Sequence, residues 1–504
     1  MKELTTGKRV LFLTLMGTLT QLLGFGYRVL LSRMVGAQVM GLYQLIMPVY
    51  SVLLSLTAVG LTAAMSNLTP KFLALGKPET VSQLRKTALF WLILLMIPVS
   101  GVIILWSDPI SVYLLGDART QLGILLLLPC VALTGIENIQ KHVFYGADSV
   151  KIPATTELLE QIIRAVAVLC LLVLFLPQYP ERALGLVVLG MILCEISSAL
   201  TLTLLFRLHL WRPVRTPERG LTMQLFTIAL PVALTSLAGN LMHAVNAAMV
   251  PKKLVESGLS QQEAVSEFGV VCGMTMPMLA LPTVFLGAMS LVMIPRLSRA
   301  KALGHTGHIA HIVSKALSVV SILTLPSMGL MVVMGEDLGC LLFHNDQVGR
   351  HLPMLAVAMI LSCYQATLAS ALNGIGHQGT VAFISILCDV VQLFFTASLV
   401  KLPQFGMAGF ALGAVVSSAL GFLFCIWSVI RTTGMHLSIF SWFTAPALAA
   451  LLMTLCSNLL MHRLIDYGVS SFSAGILTCL FGVVLYLVTL HAQGVHLRDL
   501  WGVL

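Results

Sequence analysis

The sequence predicts an all-α integral membrane protein of about fourteen transmembrane helices, with two parallel-repeat six-helix lobes around a central cavity and two additional helices at the C-terminal end. Three observations predict it: composition, recurrent apolar runs and an internal duplication. Of 504 residues, 58% are hydrophobic and only 10% charged, with a mean hydropathy of +0.96, whereas a soluble domain is about 25% charged. Runs of ~20 apolar residues, each long enough to cross a ~30 Å hydrocarbon core, recur from one end of the chain to the other.

The spans fall at roughly 9–33, 42–70, 87–107, 120–146, 154–176, 183–206, 223–250, 268–294, 312–334, 352–374, 380–400, 407–430, 441–461 and 471–491. Between them the longest polar stretches, Arg207 to Leu221 and Pro251 to Phe268, leave no room for a separate soluble domain. The basic segment Met1 to Arg9 runs into the first span without a small-residue cleavage site and reads as a retained helix. Ten cysteines lie singly, mostly inside apolar runs and never as CxxC, which suits packing residues and not a disulfide framework or a metal site.

The net charge of +9 is spread over short loops, so topology explains it better than a nucleic-acid partner does. With fourteen spans both termini share one side, and that side holds 19 of the 29 Lys and Arg residues against eight on the other. The excess predicts cytoplasmic termini in a bacterial cytoplasmic membrane.

Six of these spans appear twice. Thr20-Gln-Leu-Leu-Gly24 in span 1 is echoed by Thr235-Ser-Leu-Ala-Gly239 in span 7, an offset of 215. Met47-Pro48, Pro70-Lys71 and Tyr145-Gly146 are matched by Met276-Pro277, Pro295-Arg296 and Asn373-Gly374 at offsets of 225 to 229. An even number of crossings makes the repeats parallel, related by an axis along the membrane normal, and two such bundles support alternating access by rocking. The expected division is 1–207 as the N-terminal lobe, 208–222 as a cytoplasmic linker, 223–430 as the C-terminal lobe and 431–504 as the added helices and tail.

The stretch Arg28-Val-Leu-Leu-Ser-Arg-Met-Val-Gly36, continuing through Gly41-Leu-Tyr43 to Met47-Pro48, resembles the start of polysaccharide exporters of the multidrug/oligosaccharidyl-lipid/polysaccharide (MOP) superfamily. The fourteen-span plan, the repeat layout and the turns at Gly146 and Gly374 are similar to its stage V sporulation protein B-like branch, related to lipid II flippases. The resemblance implies flipping of an undecaprenyl-diphosphate-linked saccharide from the cytoplasmic to the outer leaflet, for cell-wall or spore-cortex peptidoglycan. It also implies a cationic cavity, a lipid-linked oligosaccharide and membrane lipids as partners, and a monomer.

An ionisable group at membrane depth needs a partner or water. Arg28 lies nineteen residues into span 1, and the repeat pairs it with His243 in span 7, flanked by Asn240 and Asn246. Arg28 and His243 read either as a site for the carrier diphosphate, since guanidinium matches phosphate oxygens in a bidentate way, or as a snorkelling arginine and a histidine bonded between helices. Glu137 and Arg164 stand at similar distances on either side of the turn near Val150, and Glu160 lies one helical turn before Arg164. A Glu137–Arg164–Glu160 cluster is expected, as a structural clamp or as a site coupling transport to H+ or Na+. Glu195 and Asp389 are the other mid-span acids, Asp389 matching Glu160 at an offset of 229.

Prolines 48, 129, 231, 277, 282 and 326 fall inside spans, and Pro277 and Pro282 with Gly273 and Gly287 mark span 8 as a bending gate. No Walker loop, HExxH, GxSxG or His/Cys cluster occurs, so the chain is read as a transporter without a cofactor and not as an enzyme. Its energy would come from the membrane potential or from H+ or Na+. Two rival readings remain: a cation-coupled multidrug exporter of the same superfamily and a membrane-embedded glycosyltransferase.

Overall fold

A computed structural model describes residues 6–210, 212–213, 218–304, 306–434 and 440–494. Lys2, Arg215 and Arg498, used above in the loop comparison, lie outside them. The described residues are helices and turns, with no strand among them. Thirteen helical stretches are long and apolar enough to cross a membrane; the first, Phe12–Ala74, is 63 residues long and supplies two crossings. Its division falls at Gly36, the one residue of helix α1 (Thr6–Leu54) outside the helical region, with φ 75° and ψ 175°. A side chain there would be strained, so glycine permits the turn between spans 1 and 2. The fourteen expected crossings are therefore present.

The chain forms two compact units. The first comprises 1–255 and 259–269. It contains α1, α2 (Gly60–Ala74), α3 (Pro78–Pro109), α4 (Thr120–Gly146), α5 (Lys151–Phe175), α6 (Ala183–His209), α7 (Leu221–Glu256) and α8 (Gln261–Phe268). Backbones approach closely where glycine removes the side chain. A Cβ on Gly190 of α6 would lie 2.8 Å from Val168 Cα and 3.0 Å from Val168 N on α5, and one on Gly135 of α4 would lie 2.7 Å from Leu92 Cδ1 on α3. Around these contacts Leu84, Ile139, Phe144, Leu202 and Phe206 are buried together, and Trp91 meets Phe226 of α7 edge to face, with ring centroids 4.8 Å apart. At the opposite ends of these helices, outside the spans, Asp117 grips Arg119 through Oδ2–Nη2 at 2.6 Å and Oδ1–Nε at 3.0 Å. That bond holds the guanidinium above its ordinary pKa.

The second unit comprises 256–258 and 270–504. It contains α9 (Met276–Ala280), α10 (Phe285–Ala302), α11 (Thr306–Val333), α12 (Gly335–Phe343), α13 (Gln347–Arg350), α14 (Leu352–Gly374), α15 (Gln378–Leu399), α16 (Met407–Thr433), α17 (Ala445–Asp466) and α18 (Ser471–Ala492). Its core is built on Tyr364, which is hydrogen-bonded to Ser321 at 2.7 Å and packs on Phe422 and Trp442. The two last helices join it through Ile322 of α11, Met453 of α17 and Tyr486 of α18.

The duplication is visible in how helices end. After α4, the amides of Ala147, Asp148 and Ser149 donate to the carbonyls of Val143, Tyr145 and Phe144; after α14, those of Ile375, Gly376 and His377 donate to Ala371, Asn373 and Leu372. Both are Schellman caps, with Asp148 and Gly376 in the left-handed region. Leu75 and Gly76 after α2 bond as Leu303 and Gly304 do after α10. Every equivalent residue in these caps is separated by 228. Gly146 and Gly374 also pack alike: a Cβ on the first would lie 3.0 Å from Pro70 Cδ, and on the second 3.0 Å from Leu297 Cβ, beside Pro295.

Replacing Gly190 with Ala should destabilise the purified protein by about 1–3 kcal/mol, because the methyl meets the backbone of Val168 as well as its side chain, and the backbone cannot turn aside. Gly101→Ala, with nothing within 4 Å of the new methyl, should be neutral or slightly stabilising. Thermal unfolding of the two variants in the same detergent checks the difference.

Candidate functional site

Three helices of the first unit hold an ion network. The cap after α4 turns the chain back into α5, and the Gly190–Val168 approach brings α6 against α5. Acid and base alternate at one-turn spacing on two of them, Glu137 with Lys141 on α4 and Glu160 with Arg164 on α5, so each helix supplies an internal pair. Lys141 Nζ then crosses to Glu160 Oε2 at 2.9 Å, with Glu157 Oε1 at 3.9 Å. Arg164 Nη2 crosses to Glu195 Oε1 of α6 at 3.3 Å, while its Nε faces Cys194 Sγ at 3.4 Å. Glu157 closes the rim by accepting from the Tyr145 hydroxyl at 3.2 Å.

Burial makes the network energetically costly to disturb. Glu137, Glu195, Lys141 and Glu160 are 1, 2, 8 and 9% exposed. Ions in so dry a place persist only when compensated, and removing one partner of a buried pair costs about 3–5 kcal/mol. Each oxygen of Glu160 faces a cation, Lys141 on one side and Arg164 on the other. Glu195 has one oxygen on Arg164; its Oε2 is buried without a hydrogen-bond partner.

Of the expected cluster, Glu137, Glu160, Arg164 and Glu195 are brought together and Asp389 is not, for it sits on α15 in the second unit. The partner of Glu137 is Lys141 and not Arg164. Lys141, one of the 19 basic residues counted on the cytoplasmic side, is buried in α4; the one-turn spacing from Glu137 was the signal for it. The match of Asp389 to Glu160 also shifts, because the 228 register of the caps puts Cys388 in that place. In the same register Gln365 replaces Glu137 and Gln392 replaces Arg164. The second unit thus holds a neutral version: Gln365 Nε2 faces Cys388 Sγ at 3.8 Å, and Gln392 accepts from Ser417 and donates to the Phe410 carbonyl.

Arg28 is exposed on α1, eight residues before the Gly36 turn, with Tyr27 and Tyr43 in its electrostatic surroundings. His243 on α7 is likewise exposed and Asn246 half-buried. Asn240 instead reaches span 2, donating to Ser55 Oγ at 2.7 Å. Span 8 is not one continuous α-helix: Gly273 lies in a π-helical stretch, Gly269–Thr275, Pro277 opens α9, Pro282 sits in a 3₁₀ turn, Leu281–Thr283, and Gly287 follows in α10.

Lys141→Ala should lower stability by about 3–5 kcal/mol, since it strips the cation from two buried carboxylates. Lys77→Ala, which removes a surface pair with Glu218, should cost less than about 1 kcal/mol. Folded yield and melting temperature of the two purified variants provide the check.

The model of the polysaccharide biosynthesis protein family matches residues 6–301, and that of the lipid II flippase MurJ matches residues 276–478. Stage V sporulation protein B of Bacillus subtilis (strain 168) is 23% identical over 83% of this chain and 82% of its own length. The lipid II flippase MurJ of the same organism is 22% identical over 82% and 79%. A solved structure of a lipid II flippase MurJ in an inward closed conformation superposes with a TM-score of 0.73 at 14% identity, over 95% of this chain and 98% of that one. With a model matching more than half of its length, the chain belongs to the polysaccharide biosynthesis protein family.

Proposed function

We propose that the protein flips an undecaprenyl-diphosphate-linked saccharide, a lipid II-like precursor, from the cytoplasmic to the outer leaflet by alternating access. The observation that carries this reading is Arg28: an exposed guanidinium in the first transmembrane helix that forms no ion pair among the described residues. An uncompensated cation at such a place costs several kcal/mol unless it meets water or an anion, and a diphosphate offers bidentate oxygen pairs to it. Membership in a polysaccharide biosynthesis family and the likeness to MurJ in sequence and fold support a lipid-linked saccharide over an organic cation, which a positive group would repel.

His243 supplies a second polar contact for the headgroup, with Asn246 beside it, while Asn240 holds span 7 against span 2. Span 8 bends at Gly273 and Pro282 as the lobes exchange access, with Pro277 and Gly287 flanking the bend. The likeness to stage V sporulation protein B supports a role in spore-cortex synthesis. Both termini lie in the cytoplasm.

The decisive experiment is complementation of a bacterium depleted of its own lipid II flippase. The wild-type chain should restore growth, and Arg28→Ala should fail to do so at unchanged membrane abundance. No rescue by the wild type, or full rescue by Arg28→Ala, removes the proposal. The orientation has its own check: in a chain whose ten native cysteines are replaced by serine, a cysteine placed at Gly258 should react with an impermeant thiol reagent added outside intact cells, and one placed at Gly304 should not. Equal labelling of the two would overturn the cytoplasmic termini.

A further inference from the structure

Near the start of α3 a pair of arginines stands without acids. Arg85 lies two turns into the helix, half-buried, with its guanidinium carbon 4.4 Å from the centre of the Phe206 ring of α6. The charge that acts on it is a like one, Arg207. Neither arginine donates a hydrogen bond or forms an ion pair among the described residues, and Arg85 Nε is buried with no partner. The acid of the adjoining chain, Glu218, is held by Lys77 at 2.7 Å. A guanidinium has five N–H donors, and stacking on a ring occupies its face while leaving its edge free for two parallel bonds to oxygen. Two such groups side by side repel each other until an anion enters between them.

Charge sorting by loop accounts for exposed basic residues such as Lys86, but not for a half-buried one. The position of Arg85 is an inward one. Helices α3 and α11 begin 228 residues apart, at Pro78 and Thr306, so Arg85 corresponds to Val313, an apolar side chain 1% exposed. The shared scaffold takes a valine there, and the first unit has an arginine in its place. The surroundings are held firmly: Ser82 Oγ accepts from the Arg212 amide at 3.0 Å, and the Gln83 side chain exchanges two bonds with the Glu218 backbone, at 2.9 and 3.1 Å. Those bonds tie the chain after α6 to the first turns of α3, so Arg85 and Arg207 are kept together despite their repulsion.

We propose that Arg85 and Arg207 bind the phosphate of an anionic phospholipid. Its oxygens accept from the guanidinium edges in pairs and cancel the repulsion between them. The surrounding surface selects a lipid over a soluble anion. Leu200, Leu204 and Leu208 of α6 and Phe90 and Ile93 of α3 are exposed apolar side chains that lead up to the pair. Hydrocarbon covers such faces, and the phosphates of the bilayer lie where they give way to basic residues. A zwitterionic lipid brings its own cation to the site, whereas an anionic one offers a net charge to the two arginines. That the leaflet is the inner one rests on the orientation proposed above; the site itself does not depend on which substrate is flipped.

The test uses the full-length protein in a neutral detergent, stripped of lipid, with phosphatidylglycerol, phosphatidylcholine or inorganic phosphate added back. Native mass spectrometry should show phosphatidylglycerol retained by the wild type, and Arg85→Gln combined with Arg207→Gln should weaken its binding about tenfold or more. Arg431→Gln, which removes an arginine stacked on Trp427 in the second unit, should leave binding unchanged. Phosphatidylglycerol should raise the melting temperature of the wild type and not that of the double variant. Without lipid, Arg85→Leu should melt no lower than the wild type, because the guanidinium has no bonded partner to lose. Equal weakening by Arg431→Gln, undiminished binding by the double variant, or a lower melting temperature of Arg85→Leu without lipid overturns the proposal. So does stabilisation by inorganic phosphate or by phosphatidylcholine as strong as that by phosphatidylglycerol, since the first assigns the site to a soluble anion and the second removes its selectivity for anionic lipid. None of these readouts involves transport, so they decide the site even where the wild-type chain rescues no growth.

Discussion

A charge in hydrocarbon must find its counter-charge within the protein, and much of what is distinctive here follows from meeting that condition. Acid and base on one helix face each other at one-turn spacing, which makes two local pairs before any tertiary contact forms. Lys141 joins the pairs across α4 and α5, and adding Glu195 brings α5 and α6 closer than ordinary side chains allow, an approach that Gly190 against Val168 supplies. Packing and electrostatics are therefore one requirement in this part of the chain. Without the glycine contact, Glu195 would have no reason to lie beside Arg164.

The duplicated architecture shows which features the fold itself needs. Helix caps, left-handed turn residues and the glycine contacts at Gly146 and Gly374 recur at the same spacing in both halves, and they concern backbone geometry. Charges do not recur: Glu137, Glu160 and Arg164 correspond to Gln365, Cys388 and Gln392. Amides and a thiol fill these places at a lower desolvation cost, with Gln365 facing Cys388 and Gln392 accepting from Ser417. Two halves that share caps and differ in charge have kept the scaffold and altered the chemistry.

Crossing number, the repeat and the grouping of Glu160 with Arg164 were legible in the sequence because they follow from hydropathy, spacing and local chain geometry. Lys141 was not, for a lysine four residues after a glutamate near a helix end reads equally well as a loop charge. Only packing shows that it is buried between two helices. The partnership of Glu195 with Arg164 needed the close approach of α5 and α6, which no pattern within either helix encodes. Short motifs also gave the repeat register only to within a few residues, so Asp389 was matched to Glu160 until the hydrogen-bonded caps fixed the spacing.

Span 8 shows how an irregular backbone is tolerated at membrane depth. Its π-helical stretch and 3₁₀ turn leave carbonyls out of the regular ladder, and lipid offers nothing to bond them. Side-chain hydroxyls on the span take up some of the slack: Thr275, fully buried, reaches the carbonyls of Val270 and Val348, and Thr283 bonds Ala280. At its start Gly269 lies against Ala37 and Gly41 of α1, where any side chain would meet backbone. An α-helix of ordinary residues would satisfy its own amides and need neither device. Glycine at the tight end and threonine at the irregular turns mark a segment whose backbone bonds are made partly by side chains, and such bonds can be exchanged without unfolding the helices on either side.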